Sequence, residues 1–267
     1  MLVGRLPPPC IRGVAHTGPA KMAPSLAATN TLCNSRVLKL VEQPGDDESW
    51  AAITGRGSFD QESLRCYYTT VVRLDSHLNG CMKWADAFAV GLPDAVHKTV
   101  ILAAELHDIG KADPRFQAWL RGGNPIKPDE LIAKSGRTGQ SAAAVERART
   151  LAGYPKRARH ELLSVALIQN SGAVFDDIDF DLLLHLVGSH HGRCRPFAPV
   201  VEDTKPLNVL YGGWQASSDH QLERVGSGVC DRFWRLTRRY GWYGLAYLEA
   251  LVRLADCRQS EAEQNHA

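Results

Sequence analysis

The sequence lacks several features that would place it in a specialised class. Its seven cysteines form no C-x-x-C pair and follow no regular spacing, which is typical of reduced cysteines that pack inside a cytosolic protein. It has no excess of either charge, since 31 Lys and Arg residues oppose 29 Asp and Glu residues. Any affinity for nucleic acid must therefore come from local patches and not from the net charge.

Long apolar runs are also missing. No run approaches the roughly 18 residues that span a bilayer, so we expect no membrane segment. The N-terminus contains Arg5 and Arg12 but no continuous apolar stretch, which argues against a secretion signal. These absences favour a cytoplasmic location. The 267 residues are enough to bury the core of one large domain.

Residues 1–65 are predicted to form an N-terminal extension. The first part is rich in Pro, Ala, Thr and Gly and includes Pro7-Pro8-Pro9, a composition that favours poor order. Val37 to Val41 have the composition of a short strand. The folded domain is predicted to span residues 66–260, and residues 261–267 form a tail.

Most of residues 66–260 follow a helical pattern, because apolar residues recur there at three- and four-residue steps. Five helices are predicted: from about Cys66 to Gly91, from Asp94 as N-cap to Leu106, from near Glu161 to Leu167, from about Asp179 to Gly188, and from Trp242 to about Gln259. No hairpin of strands is predicted among them. The fold class is therefore an all-α bundle.

A set of metal-ligating residues stands out within this helical region. His107 and Asp108 are adjacent at the end of an apolar helix, and His160, the pair His190-His191 and Asp256 follow. Imidazoles and carboxylates are ligands for divalent metals, and this set is enough for one or two ions. The combination predicts metal-assisted hydrolysis of a phosphoester.

The spacing of the histidines predicts that they meet. His77 and His107 are each fifteen residues from Leu92, in the middle of a Gly-Leu-Pro turn. Two helices folded about this turn would carry both histidines to the same open end, about 22 Å from the turn at about 1.5 Å per residue. His160 and His190 are likewise equidistant from the centre of a later loop. Two helical hairpins could thus bring histidines to one end of a bundle.

Asp256 is predicted to lie on a buried helix face, because it follows apolar Val252 by four residues. A bare carboxylate in that position is costly unless it is paired or bound to metal. A simpler alternative is that Asp256 forms an ion pair with Arg253 or Arg258.

At these residues the chain resembles the HD superfamily of metal-dependent phosphohydrolases, and within it the HD nuclease of type I CRISPR interference. His107–Gln117 resembles the second motif of that family, Arg159–Glu161 the third, Ser189–Gly192 the fourth and Tyr247–Asp256 the closing helix. The likeness covers about residues 70–260. No helicase motif is present, so we expect a separate nuclease subunit or a piece of a larger protein.

The resemblance implies an HD-domain helical bundle with two metals at one end. With the composition of residues 1–65, the predicted fold is this bundle preceded by a poorly ordered N-terminal extension. One metal would be held by His77, His107, Asp108 and Asp256, and the other by His160, His190, His191 and a bridging Asp108. Mixed imidazole and carboxylate ligands favour Mn, Fe, Co or Ni over Mg. Together the ions would activate a water against the scissile phosphate.

The resemblance also places Lys111 near the phosphate, where its ammonium could offset developing charge. The alternative is an ordinary exposed lysine at a helix end.

A basic segment at 134–159 is a candidate path for single-stranded DNA, because it contains seven Lys or Arg residues and a single acid. Its predicted DNA contacts are Arg147, Arg149 and Arg157. A second segment, 232–243, interleaves arginines with aromatics, as in sequence-tolerant single-strand binding. Alternatively, the aromatics of this second segment pack into the core.

Three hypotheses for function follow. The leading one is a metal-dependent nuclease that degrades single-stranded DNA exposed by a CRISPR surveillance complex and works with a helicase partner. The second is an HD phosphohydrolase that acts on nucleotides or cyclic nucleotides. The third is a metal-stabilised adaptor without catalytic activity.

Overall fold

The computed structural model describes residues 70–124, 130–137 and 140–265, and before them the backbone of three strands. The chain divides into two compact units, Met1–Phe59 and Asp60–Ala267. In the first unit, strands β1 (Val14–His16), β2 (Val37–Gln43) and β3 (Trp50–Gly55) form an antiparallel sheet with β3 in the centre.

The strand predicted at residues 37–41 is confirmed by β2. The predicted poor order of the N-terminal extension concerns mostly residues that lie outside the described part of the chain. The predicted domain boundary near residue 65 stays a prediction.

The second unit is built mainly from helices, which confirms the all-α prediction. They are α1 (Leu74–Phe88), α2 (Asp94–Leu106), a 3-10 turn (Ile109–Ala112), α3 (Pro114–Leu120), α4 (Ala142–Ala152), α5 (His160–Gln169), α6 (Phe180–Ser189) and α7 (Val229–Asn265). Gly241, with φ 72° and ψ 167°, interrupts α7 and divides it into two helical segments. None of the described helices is both long and apolar enough to cross a membrane.

The core of this unit lies where α1, α2, α5, α6 and the second segment of α7 meet. Their inward positions are small or aliphatic, and the fully buried residues include Ala103, Ala104, Leu167, Leu183 and Ala255. Burying one leucine stabilises the fold by roughly 2 kcal/mol, and small residues such as alanine allow helices to approach closely. The packed core therefore holds neighbouring ends of α1, α2, α5 and α6 close together.

Two short antiparallel ladders correct the prediction that this region contains no hairpin. β4 (Val71–Arg73) pairs with β5 (Ile132–Ser135), and β6 (Asn208–Tyr211) pairs with β7 (Trp214–Ser217). The second ladder is a hairpin whose turn is Gly212-Gly213, both with positive φ, a conformation that suits a two-residue hairpin turn. The Gly-Gly pair was the sequence signal for it.

Some helix limits differ from the predicted ones. The predicted first helix begins later, at Leu74, because the residues before it extend into β4. Asp94 was predicted to be an N-cap, but Pro93 is the N-cap and Asp94 is the first helical residue. Asp179 does cap α6, since its side chain accepts a hydrogen bond from the backbone N–H of Leu182 at 3.2 Å.

Candidate metal centre

The two interhelical turns bring histidines to one end of the bundle, as the spacing predicted. His77 on α1 and His107 at the end of α2 have ring centroids 5.7 Å apart. His160 at the start of α5 and His190 at the end of α6 are 5.8 Å apart. The two pairs also meet each other, because the rings of His107 and His190 are 4.7 Å apart.

The polar side chains at this end form two ligand groups. The first group is His77, Cys81, His107 and Asp256, and the second is Asp108, His160, His190 and His191. Within each group, one ligand atom per residue lies within 4.8 Å of the others. All the predicted ligand residues therefore lie in one of these two groups.

Asp108 lies between the two groups. Its Oδ1 faces the second group, 3.0 Å from Nε2 of His160 and 3.6 Å from Nε2 of His190. Its Oδ2 faces the first group, 3.5 Å from Nε2 of His107 and 3.8 Å from Nε2 of His77. The single carboxylate can therefore contribute one oxygen to each group.

Backbone carbonyls orient two of the imidazoles. Nδ1 of His107 lies 2.8 Å from the carbonyl oxygen of Ala104, and Nδ1 of His190 lies 2.7 Å from that of Val187. A carbonyl oxygen can only accept, so Nδ1 carries the proton in both rings. Nε2 of each ring therefore points into the centre. Metal-binding histidines are commonly oriented in this way, by a hydrogen bond that the other ring nitrogen donates.

The centre contains buried polar atoms that the described protein atoms do not satisfy. Nε2 of His107, His160 and His190 and Oδ1 of Asp108 are buried and have no hydrogen-bond partner within the described residues. The 3.0 Å contact of His160 with Asp108 lacks hydrogen-bond geometry. Unsatisfied buried polar atoms destabilise a fold by about 1–3 kcal/mol each. Divalent cations would satisfy all four atoms at once, so the residues fit a metal centre.

Two of the imidazoles and the carboxylate of Asp108 have pKa values that suit cation binding. Burial lowers the pKa of His107 to about 3 and lowers that of His191 well below its usual value, so both are neutral imidazoles at neutral pH. Burial alone would raise the pKa of Asp108, but Lys111 and the histidines lower it well below its usual value. Neutral imidazoles and an ionised carboxylate are the metal-binding forms.

Burial would also lower the pKa of His77 and His190, but neighbouring groups, which include Asp256 for His77 and Asp108 for His190, raise it overall. A metal must therefore displace a proton from these two rings.

Asp256 does not form either of the ion pairs considered as its simpler role. Its Oδ1 lies 3.1 Å from Nε2 of His77, and Ser260 donates to it at 3.3 Å. Arg258 pairs with Glu261 instead, at 2.9 Å. The interpretation of Asp256 as the partner of Arg253 or Arg258 is therefore wrong.

Lys111 is not an ordinary exposed lysine, so that alternative is also wrong. It lies on the 3-10 turn with 1% of its surface exposed, and its Nζ is 2.5 Å from Oδ2 of Asp108. The ammonium keeps Asp108 ionised inside the protein. The further role of Lys111, to offset charge at the phosphate, stays a prediction.

Gly110 fixes the His-Asp turn against α5. Its backbone N–H donates to Oγ of Ser164 at 2.8 Å, and Oγ donates to the carbonyl oxygen of His107 at 2.9 Å. A side chain at Gly110 would collide with the backbone of His160 and would lie 2.7 Å from the backbone nitrogen of Ser164. The glycine therefore allows the close approach that places Asp108 beside His160.

We predict that Gly110→Ala lowers the free energy of unfolding of the metal-free protein by about 1–3 kcal/mol, because backbone cannot yield to the new methyl group. Urea unfolding measures this. The matched control is Gly244→Ala on α7, where the added carbon meets its nearest atom at an ordinary 3.6 Å. Equal effects of the two substitutions would contradict the close approach at Gly110.

Sequence reasoning missed two residues of the centre. Cys81 follows His77 by one helical turn, and its Sγ lies 3.6 Å from Nε2 of that histidine. Glu263 lies 2.9 Å from Nδ1 of His77 through Oε1, and Gln259 donates to the same oxygen at 2.9 Å. The signals were the four-residue step from His77 to Cys81 and the seven-residue step from Asp256 to Glu263.

The three predicted DNA contacts differ in how far their side chains are exposed. Arg147 and Arg157 are exposed. Arg149 is 6% exposed, and its guanidinium lies over the ring of Trp119 at 4.7 Å. Packing against the aromatic ring gives Arg149 a structural role, so we correct its assignment as a surface contact for DNA.

Three of the four arginines in the second basic segment form ion pairs within the protein. Arg232 and Arg235 contact Asp181 at 3.6 and 2.9 Å, and Arg239 contacts Asp179 at 2.6 Å. The aromatics only partly follow the inward-packing alternative, because Phe233 is buried but Trp234 is 40% exposed. This segment is therefore a weaker candidate for binding DNA than the segment that contains Arg147 and Arg157.

Comparison with known proteins agrees with this geometry. The chain matches the family model described as Cas3, HD domain, over residues 71–256. No curated protein and no solved structure matches the chain. The matched segment covers more than half of the sequence and contains every residue of both ligand groups. The chain therefore belongs to the family of Cas3 HD domains, which are metal-dependent hydrolases of the nuclease type from type I CRISPR systems.

Proposed function

We propose that this protein cleaves single-stranded DNA with two divalent metal ions, one at each ligand group, during CRISPR interference. The observation that carries the proposal is the position of Asp108, with Oδ1 toward His160 and His190 and Oδ2 toward His77 and His107. A shared carboxylate is the simplest way to hold two cations close together. The helicase and the surveillance complex are the proposed partners.

When bound, the ions would polarise the phosphate and lower the pKa of an attacking water. The chain itself holds the reacting groups in place. Asp108 stays ionised beside Lys111, and the carbonyls of Ala104 and Val187 hold Nε2 of two histidines toward the centre. This imidazole-rich set favours Mn, Fe, Co or Ni over Mg, which prefers oxygen ligands.

The test uses metal-stripped protein resupplied separately with Mn, Co, Ni or Mg. The substrates are circular and linear single-stranded DNA, with dNTPs and cyclic dinucleotides in parallel. We expect cleavage of DNA with a transition metal, and cleavage of the circle would demonstrate endonuclease action. Hydrolysis of nucleotides with intact DNA would replace this proposal with a nucleotide phosphohydrolase.

Arg147 and Arg157 are proposed to lead the strand toward the centre. Both are exposed, and Arg157 lies three residues before His160. We predict that Arg147→Ala with Arg157→Ala weakens binding of single-stranded DNA and reduces its salt dependence, by about 0.7 in log–log slope per lost phosphate contact. Fluorescence anisotropy at several salt concentrations measures both quantities.

The control for this experiment is Lys83→Ala, which removes an exposed cation from α1. Lys83→Ala should leave the salt dependence of DNA binding almost unchanged. If it lowers the log–log slope as much per removed charge as the arginine substitutions do, the proposed path along Arg147 and Arg157 is wrong.

A further inference from the structure

Among the described residues, solvent reaches the two ligand groups mainly at two of their members. Of the two ligand groups, six members are buried, and only His191 and Asp256 are partly exposed. A phosphodiester from solution must therefore approach past these two side chains, which we call the opening of the centre. Groups that surround them are placed to contact the strand next to the scissile phosphate.

Two guanidinium groups converge beside this opening. Gly192 directly follows His191, and a methyl group on it would lie 3.1 Å from Nη1 of Arg253 and 3.7 Å from Nη2 of Arg195. Arg253 is three residues before Asp256, which is one turn of α7. Both guanidinium groups therefore lie close to the backbone that follows His191, and the helix that carries Arg253 also carries Asp256.

The charge of Arg253 is not neutralised by any residue in the described part of the chain. It forms no ion pair or hydrogen bond with the residues that the structure describes, whereas Arg195 pairs with Glu249 and Arg258 with Glu261. A guanidinium beside bound divalent cations is also repelled by them. An arginine in this place is favourable when an anion arrives with the substrate, and guanidinium groups bind phosphate through paired hydrogen bonds.

We propose that Arg253, supported by Arg195, forms a subsite for a non-scissile phosphate of the DNA strand, adjacent to the phosphodiester that is cleaved. This rests on the proposed nuclease function. Gly192 contributes by having no side chain, and its φ of 75° is a conformation that glycine adopts readily. A side chain at this position would lie against both guanidinium groups.

The test uses the full chain loaded with metal and compares its activity on two substrates. One is a single-stranded oligonucleotide, and the other is bis(p-nitrophenyl) phosphate, a diester with no neighbouring phosphate. Arg253→Ala is expected to raise KM for the oligonucleotide about tenfold and to change kcat/KM for the small diester less than about twofold. Arg253→Lys, which keeps the charge without the paired hydrogen bonds, is expected to lie between.

The matched control is Arg258→Ala, on the same helix but paired with Glu261; it should leave both substrates unaffected. Equal losses on both substrates, or no change on the oligonucleotide, would overturn the subsite while the nuclease function stands. Wild-type protein that hydrolyses the small diester but leaves DNA intact would overturn the nuclease function, and the subsite with it.

Discussion

Asp108→Asn is expected to abolish metal-dependent cleavage, with a loss of at least about a thousandfold in kcat. The substitution keeps the shape of the side chain but removes the charge that both ligand groups share. An amide oxygen is a weaker ligand, and only one of the two terminal atoms can then bind a cation. Both proposed metals are therefore affected by one substitution, and bound metal measured by mass spectrometry should fall together with the rate.

Asp108→Asn is also expected to lower the stability of the fold, and this effect must be distinguished from the loss of metal binding. Lys111 is buried against Asp108 at 2.5 Å, so the asparagine removes a negative charge beside a buried ammonium, at a cost of about 3–5 kcal/mol. The double variant Asp108→Asn with Lys111→Met removes both charges and should recover much of the lost stability. Its activity should stay absent.

Circular dichroism melting and cleavage assays of the double variant decide between the two effects. A folded double variant that still cuts DNA would show that Asp108 is not the shared ligand. A folded but inactive one excludes the explanation that activity is lost only through unfolding.

Glu263→Ala is expected to weaken metal binding by about 10–100-fold, the usual effect of removing the carboxylate behind a metal-binding histidine. Glu263 accepts from Nδ1 of His77 at 2.9 Å and thereby points Nε2 of that ring at Asp256 and Asp108. Burial alone would raise the pKa of Glu263, but the hydrogen bond to His77 lowers it overall. The carboxylate is therefore ionised and increases the basicity of the ring.

The measurement is a titration of metal-free protein with Mn or Co, followed calorimetrically. Glu263→Gln keeps an acceptor for Nδ1 without the charge, so its loss of affinity should be smaller than that of the alanine variant. At saturating metal both variants should approach the wild-type kcat, because Glu263 acts through His77. Unchanged metal affinity in Glu263→Ala would refute this positioning role.

The sequence predicted the meeting of the histidines because helix geometry is local and regular. Each residue adds the same rise along a helix. His77 and His107 are equally far from their turn, so they lie at the same height along the bundle. The same argument held for His160 and His190. These pairs are close in the structure, with ring centroids 5.7 and 5.8 Å apart.

The roles of several charged residues could not be predicted in this way. The segment 134–159 contains seven basic residues and a single acid in sequence, yet Lys134 and Arg149 are buried and Arg147 is exposed. Burial depends on neighbours from distant segments, such as Trp119 under Arg149. Periodicity within one segment contains no information about these neighbours.

The sequence by itself determined the helical class, the two turns and the set of metal-ligating residues, because these follow from local periodicity and side-chain chemistry. Only the tertiary structure decided that Asp108 lies between two groups, that Lys111 and Glu263 support them, and that Arg253 stands at the opening. The physical reason is that these contacts join segments far apart in the chain. Their distances depend on how α1, α5 and α7 pack, for which Gly110 and the small core residues leave room.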